Sequence, residues 1–502
     1  LSKMASDSKL IRYEKLTRLQ MGGKARTLEI CSGAGGLSLG MLKAGFDLSA
    51  HIEFDPEAAE SYAHNFGGAD ARSSAWARPR DMVQTTAAQL VAELGFKTTA
   101  AESFDVLAAG LPCQAFARIG RSKLRSVAGE EDAFQKDPRA SLYRHFLQFV
   151  EDTQPLAIII ENVPDILNFG GHNVPEEICE TLEQSGYRAR YTILNAAYFG
   201  VPQVRERLFI VALADTLNQV PEFPAPTHFF DLPRGYEGSR RVALKHVSDS
   251  SRYFHAIPVP DPELPLAVGT REAIGDLPVI TEHFKDPAII RRRKLSADLP
   301  YQENIGALSD YAHLMRTWNG FATSGYSDGH LVRLTPRDFP IFSRMNVGDD
   351  YPVARRIAEK LLVETLAEAG LTEISEDSQR YLDIRAKIVP PYDPAKFPNK
   401  WWKLDPDKPS RTLTAHMGKD TYSHIHYDSR QRRTVSVREA ARLQSFPDGF
   451  QFAGAMNAAF RQIGNAVPPL LGFAVARTLI AQLGCDVSRP LVEKKVARRR
   501  AA

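Results

Sequence analysis

The chain holds 502 residues, 43% hydrophobic and 25% charged, which excludes a disordered polymer and leaves material for a large core and more than one domain. Its net charge of +3 is too balanced to announce a nucleic-acid partner by itself. The four scattered cysteines form no CxxC pair and point to neither a zinc site nor a disulfide framework, and no apolar run approaches the roughly 20 residues of a membrane span, so a soluble intracellular protein is expected.

Residues 1 to 25 are polar and unpatterned, and a frayed leader without a signal-peptide core is expected there. Thr27 to Cys31 reads as a buried strand that runs into Ser32-Gly33-Ala34-Gly35-Gly36 and then a helical pattern from Leu37 to Gly45. Strand, glycine turn and helix let backbone approach a nucleotide-like ligand closely, although a tight connection alone explains such a turn about as well. The next strand, Ala50 to Asp55, adds weight, because it carries Glu53 about 20 residues after the glycines, where a carboxylate can take ribose hydroxyls. The glycines lack GxGxxG order, which disfavours a nicotinamide cofactor. Arg80 to Val83 reads as a third strand end before a helix from Thr86 to Leu94; Asp81 is either a cap or turn residue or an acceptor for an adenine amino group.

The apolar run Phe104 to Ala109 stops at Gly110-Leu111-Pro112-Cys113-Gln114. A lone cysteine is more often inert packing. Three features move Cys113 toward a nucleophile: the carboxyl end of a strand, a preceding proline that stiffens the turn, and the cations Arg118, Arg121 and Lys123, which favour thiolate. Ala117 to Asp137 reads as a mobile loop, an ordinary surface loop or one that closes over substrate. A helix from Ser141 to Glu151 then leads to Leu156–Ile160, a central parallel strand buried on both faces, which ends in Glu161-Asn162-Val163-Pro164. A carboxylate there is costly unless paired or working, and burial raises its pKa toward that of a proton donor.

After a helix from Pro175 to Ser185 and a strand from Tyr191 to Asn195, Arg205 and Arg207 share one face of an extended segment ahead of the strand Leu208 to Ala212. They either clamp an oxygen or phosphate or salt-bridge at the surface. A helical pattern from Val353 to Ala369 ends at Gly370, and Pro-rich stretches at 219–226 and 389–398 read as linkers. His424 and His426 alternate along a strand and read as structural or DNA-facing rather than as metal ligands. Basic clusters at Arg291–Lys294, at Arg430, Arg432 and Arg433, and from Lys494 to Arg500 can meet phosphates; for the last, a solvated surface is the favoured reading.

A glycine-rich turn, Pro-Cys-Gln, Glu-Asn-Val and Gln-x-Arg-x-Arg thus follow one another between residues 27 and 212, and Arg438–Asp448 and Gln462–Pro469 supply two further blocks. These six ordered blocks resemble the DNA (cytosine-5)-methyltransferase family. The resemblance implies an α/β fold, a Rossmann-like S-adenosylmethionine-dependent methyltransferase sheet with a second, smaller target-recognition domain. It divides the chain into a leader (1–25), a catalytic domain (26–224), a recognition domain (225–435), a return to the catalytic domain (436–485) and a basic tail (486–502). It also implies a monomer acting on double-stranded DNA in the bacterial cytoplasm and nucleoid, without a membrane, either alone or beside a cognate restriction endonuclease.

On that resemblance Cys113 adds to C6 of a flipped cytosine, Glu161 neutralises charge at the N3/N4 edge and Arg205 holds O2, with Arg207 counted beside them as catalytic. C5 then takes the methyl of S-adenosylmethionine, leaving S-adenosylhomocysteine, and no metal is required. Cofactor contacts carry over to Gly33, Gly35, Gly36, Leu37, Glu53, Asp81, Met82, Gly110, Pro112, Asn465 and Val467. Cys31 stands where the family has an aromatic, Leu111 where a second proline is common and Ala117 where a serine is usual; the first is expected to weaken stacking on adenine and the third to remove a contact near the base. Arg291–Lys294, Arg333, Arg337, Arg344 and Arg411 are base-reading candidates by residue type. Two alternatives are an RNA (tRNA) cytosine-5 methyltransferase, disfavoured by the length of the 225–435 region, and a silent DNA-binding relative, disfavoured by intact Cys113, Glu161, Arg205 and Arg207.

Overall fold

The computed structural model describes residues 2–68, 72–112, 138–168, 171–233, 235–281, 283, 298–303, 306–418 and 422–485. Cys113, Gln114, Ala117, the loop to Asp137, Arg291–Lys294 and the basic tail lie outside the described residues. Strands β1 (Arg26–Ile30), β2 (Asp47–Ile52), β3 (Val106–Ala109), β4 (Ala157–Asn162), β5 (Tyr187–Asn195) and β6 (Glu206–Ala214) form one sheet in the order β2-β1-β3-β4-β6-β5. The pairs β1–β2, β1–β3 and β3–β4 are parallel, whereas β6 runs antiparallel to both of its neighbours.

Side chains alternate across a strand, so Ala157 and Ile159 enter the core on one face while Ile158 and Ile160 enter the core on the other. A strand covered on both sides must be apolar at every position, which is why this run reads as continuous. Full burial stabilises each isoleucine by roughly 1.5–3 kcal/mol. The reversal of β6 has a functional consequence. It brings the first residues of β6 to the edge where β4 ends, in the register Glu161 opposite Phe209 and Asn162 opposite Leu208.

The helices that matter for the site are α1 (Ser2–Gln20), α2 (Gly36–Ala44), α3 (Pro56–Phe66), α4 (Pro138–Thr153), α5 (Val174–Gln184), α6 (Tyr351–Glu368), α7 (Val437–Leu443), α8 (Met456–Asn465) and α9 (Pro469–Gln482). Helix α9 packs along α2. The end of the chain therefore closes over the element that follows the first strand.

Four expectations are corrected. The leader is not frayed: it forms α1, whose Lys15 Nζ donates to the carbonyls of Phe104, Thr153 (2.7 Å) and Gln154 (2.9 Å), while Arg12 lies 4.4 Å over the Tyr187 ring. Its polar surface hid the docking because Lys15 and Arg12 carry much of it, and on the apolar side, among the described residues, only Leu19, with Leu16 beside it, reaches the core. Arg80 to Val83 is a turn, not a strand end. Met456–Gln482 is long and apolar enough to cross a membrane, but 67% of its most apolar 18-residue stretch is buried and it divides into α8 and α9. The 225–435 region is not one separate unit, since Val268, Ile274, Trp318, Leu413 and Val435 join the sheet's own core; among the described residues a distinct core gathers between Phe339 and Ile425, around α6 and Trp401.

Candidate active site

The glycine turn after β1 is shaped by two constraints. Gly33 has φ +55°, with nothing within 4 Å of the place a Cβ would take, so its outer side is open. Gly36 opens α2 where a Cβ would stand 2.3 Å from the Val467 carbonyl oxygen. Only glycine permits that contact between the turn and the returning segment. Gly35, the N-cap of α2, and the buried Leu37 complete the turn.

Glu53 follows β2 and holds the turn from below. Its Oε2 accepts the Gly33 amide at 2.7 Å and its Oε1 the Asp55 amide at 2.8 Å. Burial raises its pKa, and these amide bonds oppose the shift. A carboxylate has about four acceptor positions, so capacity remains for the hydroxyls of a sugar. Asp81 caps its own turn through the Val83 amide at 2.9 Å. Beside it the buried Met82 sulfur lies 3.7 Å from Cys31 Sγ. Burial, then Glu53, pushes the Cys31 thiol up to about 12, so this cysteine is an inert wall. Open backbone at Gly33, an acid with spare acceptors and a sulfur-lined wall fit a nucleoside-type group.

The turn after β3 leaves the sheet beside these groups. The Gly110 amide bonds the Ile30 carbonyl at 3.1 Å, and a Cβ on Gly110 would stand 3.3 Å from the Cys31 carbonyl and 3.9 Å from Glu161 Oε2. Leu111 is buried and Pro112 exposed. At the end of β4, Glu161 Oε1 pairs with Arg207 Nε at 2.8 Å, the two side chains only 11% and 12% exposed. Burial raises the Glu161 pKa; Arg207 and Arg205 pull it back without cancelling the shift. Glu161 is thus an acid whose proton is held more tightly than a free carboxyl's, beside a fixed cation.

Arg205 does not stand where the family pattern suggested. Its buried guanidinium donates to the carbonyls of Leu413 (2.7 Å), Gly464 (2.8 Å) and Ala466 (3.3 Å). It clamps three segments together, and Arg207 alone faces the acid. Asn465 is exposed at the end of α8, and Val467 lies against Gly36.

Elsewhere, Arg433 is buried in a pair with Glu439 (2.6 Å), which removes it from the phosphate-meeting candidates. His424 and His426 are buried; His424 bonds the Arg411 carbonyl at 2.9 Å and His426 approaches Glu439 at 3.5 Å, a structural role for both. Arg337 and Arg344 are paired with Asp338 and Glu364, while Arg333 and Arg411 stack over Tyr422 and Trp402. Sequence reasoning missed Asn162, whose Nδ2 donates to the Leu111 carbonyl at 2.9 Å, and Gln203, which joins Leu413 to Leu443. It also missed a buried set beneath the glycine turn, where Ser38 bonds Glu29 and Tyr62, and Ser32 bonds His51. No spacing rule marks such residues, since each partner is remote in sequence.

The family model for C-5 cytosine-specific DNA methylases matches residues 25–481. The chain belongs to this family. It is a DNA cytosine-5 methyltransferase, and its substrate is DNA. M.OihORF3336P of Oceanobacillus iheyensis, named as a type II methyltransferase, is 38% identical over 90% of this chain and 94% of its own length. The type II methyltransferase M.AgeI of Thalassovita gelatinovora is 30% identical over 90% and 99%. Among solved structures, a prophage-encoded protein of E. coli described as a DNA modification methyltransferase superimposes with a TM-score of 0.54 at 19% identity, covering 92% of this chain and 100% of that one; this likeness concerns the fold. Within the methyltransferase, the acid and its arginine stand at one edge of the sheet with the open glycine turn.

Proposed function

We propose that this methyltransferase modifies C5 of a cytosine flipped out of a specific duplex sequence, through a transient bond between Cys113 and C6. The observation that carries the reading is the buried Glu161–Arg207 pair, 3.9 Å from the Gly110 Cβ position and so beside the turn that leads to residue 113. C5 of cytosine is a poor nucleophile, and thiolate addition at C6 makes it electron-rich. As that bond forms, charge moves to N3 and O2: Glu161 gives its proton to N3, and Arg207, rather than Arg205, takes O2. Once C5 carries the methyl group, loss of the C5 proton to water expels the thiolate, and N3 returns its proton to Glu161. S-adenosylmethionine, when bound, supplies the electrophilic methyl group. Gly33, Gly36, Glu53, Met82 and Cys31 would hold it, with Asp81 toward its base, Asn465 and Val467 closing from the return, and Gly110 and Pro112 near its methionine end.

The reading includes a role in restriction-modification or as an orphan methylase in a bacterial cytoplasm, which the names of the type II relatives support. The test is a duplex carrying 5-fluorocytosine, whose C5 cannot release a proton. An adduct that maps to residue 113 and is lost in Cys113→Ala, with DNA binding kept, is the expected result. Methylation by Cys113→Ala overturns the mechanism, and transfer to RNA but not to duplex DNA overturns the substrate.

A further inference from the structure

We infer that Asn162 is a positioning residue, which sets where the Leu111–Pro112 turn stands relative to Glu161; the inference rests on the reading of Cys113 as nucleophile. The ladder between β3 and β4 runs from Val106 opposite Ala157 to Ala109 opposite Ile160 and stops there. Beyond it the chain turns out of the sheet, and on the β1 side the Gly110 amide keeps its bond to Ile30. On the β4 side the next rung comes from a side chain. Asn162 Nδ2 donates to the Leu111 carbonyl at 2.9 Å, while its Oδ1 accepts the Val163 amide at 2.9 Å.

Asn162 and Leu111 are each only 3% exposed, so water does not compete for this rung. The residue type is demanded by the geometry. One short side chain must give a proton to a carbonyl and take one from an amide, which an amide does and a carboxylate cannot. The acid precedes Asn162 by one residue and Leu111 lies two residues before position 113, so the rung ties the strand end that carries the acid to the Leu111–Pro112 turn. Reacting atoms must approach to about 3–3.5 Å, and a displacement of about 1 Å can cost on the order of 10²-fold in rate.

The test compares Asn162→Asp and Asn162→Ala in the full chain with the wild type, reading kcat, KM for duplex DNA, the rate of adduct formation on 5-fluorocytosine duplex and the thermal midpoint across a pH series. Asn162→Asp has the shape of the amide but, ionised, sets an acceptor against the Leu111 carbonyl. We expect kcat and the adduct rate to fall about 10- to 100-fold, with KM changed less than about twofold. Glu161, the neighbour of position 162 in β4, has Arg207 of β6 and Arg205 just before that strand around it; Asn162→Ala adds no charge beside them and so controls for their titration in the ratio to wild type. That ratio should recover for Asn162→Asp as pH falls and the carboxyl regains a donor, and stay flat for Asn162→Ala. Equal loss of kcat and DNA binding in both variants, or full activity of either at neutral pH, overturns the proposal; if Asn162→Asp loses thermal stability, the kcat and KM split of Asn162→Ala decides. A wild-type protein that forms no adduct defeats the Cys113 reading, whereas a normal wild-type adduct with indifferent variants defeats only the role of Asn162.

Discussion

Arg205 and Arg207 leave the same extended segment two residues apart, and the partners each meets give them different work. Arg205 satisfies three carbonyls in the interior, so Arg205→Met leaves acceptors unpaired at roughly 1–3 kcal/mol for each group and should lower the unfolding midpoint markedly. Arg207→Met removes a cation from Glu161 and should leave the midpoint within a few degrees while turnover falls at least about 10²-fold. With that cation gone, the Glu161 pKa rises further, so the alkaline limb of the pH–rate profile should move up. Thermal melts and kcat profiles of the two variants side by side check this; a matched loss of stability in both would refute the division. Glu29 offers a pH test of its own. It is buried, and burial raises its carboxyl to about 8, with Ser38 opposing the shift. The folded state therefore binds a proton that the unfolded state releases above about 4.5, so this group's stabilising effect is complete below that pH and declines as pH rises toward 8. Glu29→Gln should match the wild-type midpoint near pH 5 and exceed it near pH 8, because the amide has nothing to ionise.

At the scale of elements, the glycine turn and α2 depend on the returning α8–α9 segment as much as on β1. Gly36→Ala drives a Cβ into the Val467 carbonyl and should lower both the midpoint and cofactor affinity. Gly33→Ala has open space but a left-handed φ, so it should cost about 1–3 kcal/mol of strain and block the ligand side. Calorimetric titration of S-adenosylhomocysteine should therefore weaken in both, and Gly33→Ala should show the larger affinity loss for its change in midpoint. Strands, and helices such as α6 with its stop before Gly370, were legible because burial on one or two faces writes a period into local sequence. So were Glu53 and Glu161, acids placed after apolar strands. What was hidden depends on pairing between distant residues: the choice between Arg205 and Arg207, set by carbonyls at 413, 464 and 466; the Asn162 rung; and α1, attached by Lys15 and Arg12 as well as by Leu19.

At the scale of the whole molecule, charged groups hold together segments that the sheet does not. Arg442 on α7 is fully buried between Asp276 and Asp448, its NH1 3.0 Å from Asp276 Oδ1, and Arg316 joins from the segment after it. Through these contacts the stretch from Val268 to Phe321 is bound to the return of the chain, which explains why much of the 225–435 region shares the sheet's core. Burial pushes Asp448 up, but Arg442 more than offsets it, and the carboxyl settles at about 2. Its contribution to stability is therefore complete above about 3.8 and is lost as pH falls toward 2. Arg442→Met strands the buried Asp448, leaves Asp276 to Arg316 alone and should cost about 3–5 kcal/mol. Restoring neutrality with Asp448→Asn in the same chain, which leaves Asp276 to Arg316, should return part of that loss, because the penalty comes from uncompensated charge rather than from missing volume. Urea unfolding at pH 7 measures both steps. An Arg442→Met midpoint equal to wild type would show that the cluster carries no net stability, and a double variant no better than the single one would show that shape, not charge, is what Arg442 supplies.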